Sequence, residues 1–366
     1  MLRRSLNLAR RRPSLTLAAA LALASALIAG CRQSAPAHAE ANTVVGLGGS
    51  FPAPLYTRWS EDYRTRTGVG VNYQGIGSGP AGEQIGGNTA DFFGSEQPLT
   101  AAQQRAGLYQ FPTVVGGITP VVNVSGVAPG QLKLTGALLA DIFLGAVTRW
   151  NDPRIVALNA SLKLPPEPIV VVHRALPSGT TLLFTSYLSR LSPAWKAKAG
   201  AGEAVAWPAG VGERGSGVVV AYVEATPGAI GYLGYGYAKH GNLAYVQLQN
   251  HDGAFVAPSI AAFAAGVTGA NWGTSGSLDA VPLDPPGAGA WPITGTTFIL
   301  VYKQPPKPEK VRQVLAFFDW AYKNGDATAT SHGFMPLPQA VKDTVRKQWV
   351  AMIRDASGRP LYKPRA

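Results

Sequence analysis

The sequence predicts an α/β fold of two domains, each built on a largely parallel sheet. Three observations carry this. Short apolar segments suited to strands alternate with longer helix-like segments along the body of the chain. The 366 residues exceed what a single core usually organises. Hydrophobic residues are 46% and charged residues 14%, against about 25% charged in an average globular domain, which excludes disorder for the bulk of the chain.

Taken in order, Val44–Leu47 is a strand leading to Gly48-Gly49-Ser50. Pro52–Thr67 is a helix whose prolines fall only in its first turn, where a missing N–H costs nothing. Val69–Tyr73 is a strand, and Gly75-Ile76-Gly77-Ser78-Gly79 turns into a helix through Ile85. Asp91–Gly94 is a strand, Thr100–Ala106 a helix and Val114–Val124 a long apolar strand. Helices Thr135–Leu144 and Pro153–Leu158 precede a buried strand, Ile169–Val172. Thr180–Leu188 and Val218–Glu224 are helices, the second ended by Pro227-Gly228. Ile230–Tyr232, Tyr245–Leu248 and Ile293–Tyr302 are strands. Two amphipathic helices close the chain. Val311, Leu315, Phe318 and Tyr322 stripe Pro308–Asn324, and Val341, Val345, Trp349 and Met352 stripe Pro338–Asp355, marking core faces.

The formal charge is +12, but five of those charges (Arg3, Arg4, Arg10, Arg11, Arg12) lie in the first 12 residues, with no acid before Glu40. The other Lys and Arg are scattered, whereas a nucleic-acid partner calls for a clustered patch. After the basic start, Leu15–Ile28 is a 14-residue apolar run, too short for a spanning helix. Ile28-Ala29-Gly30-Cys31 ends it with small residues. Residues 1–30 thus read as a secretory signal peptide. The segment resembles a bacterial lipobox, which makes Cys31, the lone cysteine, the expected lipidation site. Residues 31–42 read as a tether. One cysteine permits no internal disulfide and no cysteine-based zinc site. The five histidines (His38, His173, His240, His251, His332) show no metal-ligand spacing.

Three turns that enter helices share small residues and a hydroxyl: Gly48-Gly49-Ser50-Phe51, Gly75-Ile76-Gly77-Ser78-Gly79 and Ser178-Gly179-Thr180-Thr181. A serine read as an N-cap accepts from a first-turn amide and leaves the others free. Free amides and the helix dipole make an anion site, and glycines let the backbone approach closely. Arg174 follows an apolar strand, at the sheet edge where ligands bind in open α/β folds. Its guanidinium can grip an oxyanion with two donors. Gly212-Glu213-Arg214-Gly215-Ser216-Gly217 is a further glycine-rich helix entry, read first as a plain loop and alternatively as a lining of the second lobe. No GxSxG elbow occurs, so Ser178 with His173 makes a poor hydrolase pair.

From Val44 to about Tyr362 the chain resembles the phosphate-binding proteins of bacterial Pst ABC importers. The segments that carry this include GLGGSFPAPLYTRW (Gly46 to Trp59), NYQGIGS (Asn72 to Ser78), GLYQFPTVVGG (Gly107 to Gly117) and LADIFLGAVTRWND (Leu139 to Asp152). They continue with RALPSGTTLLFTSYL (Arg174 to Leu188), TPGAIGY (Thr226 to Tyr232), AWPITGTTFILVYK (Ala290 to Lys303) and FFDWAYKNG (Phe317 to Gly325). The resemblance implies a type II periplasmic-binding-protein fold: two α/β lobes joined by two hinge crossovers, with the ligand cleft between them. Lobe I would hold residues 43–122 and 292–366, and lobe II residues 123–291. By motif match, inorganic phosphate would be held by Ser50, Phe51 (through its amide), Ser78, Glu96, Arg174, Ser178, Gly179 and Thr180. The implied protein is a monomeric, lipid-anchored solute-binding protein of the periplasm or cell envelope. It would deliver phosphate to an ABC permease, with no enzymatic activity, cofactor, metal or nucleic acid.

Two positions depart from that pattern. Glu96 stands where the family places an Asp that accepts the proton of hydrogen phosphate and so excludes sulfate. Rejection built on a buried hydrogen bond can reach roughly 10⁴–10⁵-fold. Glu96 adds a methylene, so the cleft must shift or the carboxylate must fold back. Leu176 stands where an Asp is common, which leaves Arg174 without that neighbouring anion and the cleft more positive. The alternatives are a secreted phosphatase, a phosphate-dependent surface or sensor protein on the same scaffold, or a binder of a different tetrahedral oxyanion.

Overall fold

The computed structural model describes residues 43–84, 89–268 and 283–364. The signal peptide, Cys31 and the tether expected from the sequence lie outside these residues. The chain opens on β1 (Thr43–Gly48), α1 (Ala53–Thr67), β2 (Gly70–Gln74), α2 (Ser78–Glu83), β3 (Phe92–Ser95) and α3 (Ala101–Arg105). The long strand β4 (Leu108–Val122) leads to β5 (Lys133–Leu134), α4 (Gly136–Phe143) and α5 (Pro153–Leu158). Then come β6 (Val170–Arg174), α6 (Gly179–Leu191), α7 (Pro193–Lys198), β7 (Val211–Glu213) and α8 (Ser216–Ala225). These are followed by β8 (Ala229–Gly234), α9 (Tyr235–His240), β9 (Ala244–Tyr245), β10 (Gln247–Gln249), β11 (Phe255–Val256) and α10 (Ile260–Val267). The last elements are β12 (Thr294–Tyr302), α11 (Pro308–Asn324), α12 (Asp326–Ser331), β13 (Phe334–Pro336) and α13 (Gln339–Met352).

One sheet runs in the order β2-β1-β3-β12-β4-β8-β6-β7, with β13 and β9 also paired to β4. Its two ends hold the expected parallel pairs: β1 with β3, and β6 with both β8 and β7. Its centre does not. β12 is antiparallel to β3 and β4, and β4 is antiparallel to β8. The cause is topological. β4 carries the chain out of the group holding β1–β3, and β12 carries it back alongside, so the two run in opposite directions. β4 pairs with β12 as far as Gly117 and with β8 from Ile118. The strand expected at Tyr245–Leu248 is broken at buried Val246. Tyr245 pairs with β4, whereas Gln247 and Leu248 pair with β5 in a separate three-stranded sheet.

Each end of the sheet has its own aromatic packing. Phe318 of α11 meets Tyr56, Phe92 and Phe111 at 5.4–5.8 Å, and Trp349 of α13 meets Phe111 at 4.9 Å. Around β8, Tyr232 stacks on Phe184 at 4.2 Å, which in turn meets Phe143 at 4.8 Å. The stripes of α11 and α13 are buried as expected, except Met352, which is 39% exposed at the end of α13. The sequence reading missed α7, α9, α10 and α12, all of eight residues or fewer, too short to display a periodic stripe.

Candidate functional site

The three serine turns and Arg174 come together. Arg174, the last residue of β6, is buried, and its Nη1 donates to Ser178 Oγ at 3.0 Å and to Ser50 Oγ at 3.3 Å. The amide of Gly179 donates to Ser78 Oγ at 2.7 Å. Ser50 and Ser78 follow β1 and β2 at one end of the sheet, and Arg174, Ser178 and Gly179 end β6 and open α6 at the other. These bonds therefore cross a cleft and join its walls. Pro177 adds an apolar contact there: a Cβ on Gly79 would stand 2.3 Å from its ring.

The hydroxyls do not act as caps, which corrects the sequence reading. Pro52, not Ser50, is the N-cap of α1, and Gly77 is that of α2. Ser178 is the N-cap of α6, yet its side chain makes no cap bond. Each hydroxyl turns to a partner in the cleft instead. For Ser50 and Ser178 the reason is competition: a hydroxyl beside a buried guanidinium gains a charge-assisted bond, stronger than a cap bond to an amide, whereas Ser78 accepts the Gly179 amide instead.

The backbone around these hydroxyls is held in place. Tyr73 Oη donates to Gly49 O at 2.8 Å, and Tyr237 Oη donates to Ser50 O at 2.8 Å. The Phe51 ring is buried against Phe334, 5.0 Å away, so what this residue can offer the cleft is its amide. Thr180 is buried in the first turn of α6, and its neighbour Thr181 meets Tyr232 Oη at 2.7 Å. Tyr232 Oη also accepts from the Arg174 amide at 3.2 Å.

Glu96, just after β3, is 1% exposed, and its Oε1 has no partner in the protein. Its carboxylate is wedged between two backbones. A Cβ on Gly49 would lie 2.6 Å from Oε2, and one on Gly179 2.2 Å from it. A side chain at either place would have to displace Glu96. The longer side chain is accommodated by folding back, with its own backbone amide donating to the carboxylate. Burial, helped by the Glu203 carboxylate and opposed by Arg174 and by the bond from its own amide, leaves the Glu96 carboxyl pushed up to about 8. Burial likewise pulls Arg174 below the usual guanidinium range, opposed by Tyr232, Glu96 and Tyr237. A guanidinium stays charged regardless.

Two residues enter the site without having been expected there, Tyr237 and Glu203, and a third, Ser216, comes from a segment read first as a loop. Val211–Glu213 pairs with β6 and Ser216 begins α8, so the segment read as a plain loop is partly regular. Ser216 Oγ lies 3.0 Å from Ser50 Oγ. Glu203 accepts the Ser178 amide on its carbonyl at 3.0 Å and lines a cavity of about 100 Å³ with Ser78 and Gln97. It brings negative charge to a cleft where Leu176 supplies none. His173 faces away from a nucleophile's role: it stacks on Trp207 at 4.5 Å, and its Nδ1 lies 3.1 Å from the Arg174 carbonyl oxygen. Among the described residues no group of three or more His, Cys, Asp or Glu could hold a metal, and no helix is long and apolar enough to cross a membrane.

The family model of the PBP superfamily domain matches residues 33–324. The phosphate-binding protein PstS of Pasteurella multocida is 43% identical over 327 residues, covering 88% of this chain and 94% of that protein. PstS of Haemophilus influenzae is 45% identical over 312 residues, covering 85% and 93%. The chain belongs to the PstS family. A solved PstS-like structure, the high-affinity periplasmic phosphate-binding protein PfluDING bound with phosphate, superposes with a TM-score of 0.67 at 23% identity, covering 84% of this chain and 94% of that one. A phosphate-binding protein from Stenotrophomonas maltophilia gives 0.63 at 20% identity, covering 84% and 94%. These likenesses give this PstS-family chain the two-lobed type II fold.

Proposed function

We propose that this protein captures inorganic phosphate in the cleft by hinge closure and hands it to an ABC permease. One observation carries the reading: the buried Arg174 guanidinium bonds Ser50 and Ser178 while the Gly179 amide bonds Ser78, so the three serine turns converge on one place. Hydroxyls, amides and a guanidinium are donors, and an oxyanion is all acceptors. Shutting the lobes excludes water, which strengthens every such bond. The PstS relatives supply the identity of the ligand. The ligand set is Ser50, the Phe51 amide, Ser78, Glu96, Arg174, Ser178, Gly179 and Thr180.

In its ionised form Glu96 accepts the proton of bound hydrogen phosphate. Lobe I comprises residues 43–122 and 292–366 and lobe II residues 123–291; the change of partner along β4 between Gly117 and Ile118 supports a crossover on that strand. The protein acts by binding and release, as a monomer tethered to the membrane outside the cytoplasm through lipid on Cys31. Isothermal titration with phosphate, arsenate, sulfate and a phosphonate tests the ligand. At pH 9, with Glu96 ionised, tight phosphate binding with sulfate excluded is expected, and a preference for another anion would overturn it. Labelling of the wild type, but not Cys31→Ser, by a palmitate analogue tests the anchor.

A further inference from the structure

We propose that Ser216 is a positioning residue of the cleft: its hydroxyl holds Ser50 in the shut arrangement and so slows release of the anion. The inference rests on the reading of the cleft as a phosphate site. Ser216 is the first residue of α8, placed there by Gly215, whose φ of 80° with ψ of 158° is a backbone conformation that essentially only glycine adopts. The hydroxyl is 2% exposed and lies 3.0 Å from Ser50 Oγ. That bond joins α8, in the lobe of β6–β8, to the turn after β1. It can therefore exist only while the lobes are together.

The polar groups form one chain. Ser216 Oγ meets Ser50 Oγ, which takes a bond from Arg174 Nη1, which also donates to Ser178 Oγ. A hydroxyl has one proton and two lone pairs. If Ser50 gives its proton to an anion, its lone pairs are left for Arg174 and for the Ser216 hydroxyl. Both are donors, and each bond polarises the next, so the Ser50 O–H becomes a better donor towards the anion. Ser216 needs no contact with the anion to do this. Its effect should appear in the lifetime of the shut complex and not in the rate of encounter, which depends on the open form.

The test is stopped-flow phosphate binding and release with the wild type, Ser216→Ala, Ser50→Ala and the double variant. Losing one such hydrogen bond should speed release by about three- to tenfold, with association unchanged. In the Ser50→Ala background, Ser216→Ala should add nothing, because its only route to the anion has gone. Unchanged release in Ser216→Ala, or an equal effect of Ser216→Ala with and without the Ser50 hydroxyl, would overturn the inference while leaving the phosphate reading intact. A wild type that binds no phosphate would overturn both.

Discussion

The carboxylate of Glu96 occupies the place where a side chain on Gly179 would begin, with Oε2 2.2 Å from that missing Cβ. Glu96 comes from one lobe and Gly179 from the other, so a single carboxylate touches both walls of the cleft. A methyl group on Gly179 must push Glu96 aside or hold the lobes apart. Forced overpacking costs about 1–3 kcal/mol. Gly179→Ala should therefore weaken phosphate binding by about tenfold or more by titration calorimetry. Its thermal midpoint should move little, because alanine suits the first turn of a helix.

Sulfate binding should depend on pH through Glu96. With its carboxyl pushed up to about 8, Glu96 is neutral at lower pH and offers a proton that sulfate can accept. Above that it is a carboxylate, and two sets of lone pairs would face each other. Sulfate, which does not titrate here, should bind measurably at pH 6 and progressively less at pH 8 and 9. Glu203→Gln removes a charge that raises Glu96, so the midpoint of that loss should move to lower pH. Sulfate binding as tight as phosphate at pH 9 would remove the acceptor role of Glu96.

The stability of the anion-free protein should also carry the signature of Glu96. Its folded pKa lies above the ordinary value of 4.5, so the folded state holds a proton that the unfolded chain releases. That contribution is full below 4.5 and is lost as pH rises through about 8. The melting temperature in phosphate-free buffer should fall across this window, and Glu96→Gln should flatten that fall.

Arg174 supplies the only charge among the donors proposed to hold the anion, and its Nη1 already reaches two serine hydroxyls. Charge-assisted bonds contribute about 1.5–3 kcal/mol each. Arg174→Ala should therefore reduce phosphate affinity by roughly 10²–10³-fold in calorimetry. Arg174→Lys keeps the charge but loses the planar fork, and should sit between the two.

Lys342 offers a contrast away from the cleft. Its ammonium is buried, bonded to Tyr322 O at 3.0 Å and to both oxygens of Asp326 at 2.7 Å. Lys342→Ala leaves that carbonyl without its donor and opens space in the core. It should cost about 1.5–3 kcal/mol in chemical denaturation, with phosphate affinity unaltered.

Much of the site was legible because its turns carry local signatures: glycines beside a hydroxyl, and an arginine at the end of an apolar strand. The cap roles were misread because a cap and a cleft hydroxyl look alike in sequence; what separates them is the guanidinium that folding brings beside Ser50 and Ser178. Tyr237 and Glu203 left no such mark, whereas Ser216, set between Gly215 and Gly217 at a helix entry, carries the same signature and was read as part of a loop. Each reaches the cleft from a segment distant along the chain, and no periodicity records that approach. The C-terminal stripes were readable over several turns, whereas the antiparallel centre of the sheet depends on which strands meet, which alternation alone does not specify.

The pairing of β4 has a mechanical consequence. Leu108 to Gly117 are bonded to β12 and Ile118 to Val122 to β8, so one ribbon of backbone is woven into both halves of the molecule. Neither half owns a complete set of edges. Severed at that ribbon, each would present an unpaired row of amides and carbonyls, a template for sticking to its neighbours. This shared ribbon ties the two halves into a single hydrogen-bonded body.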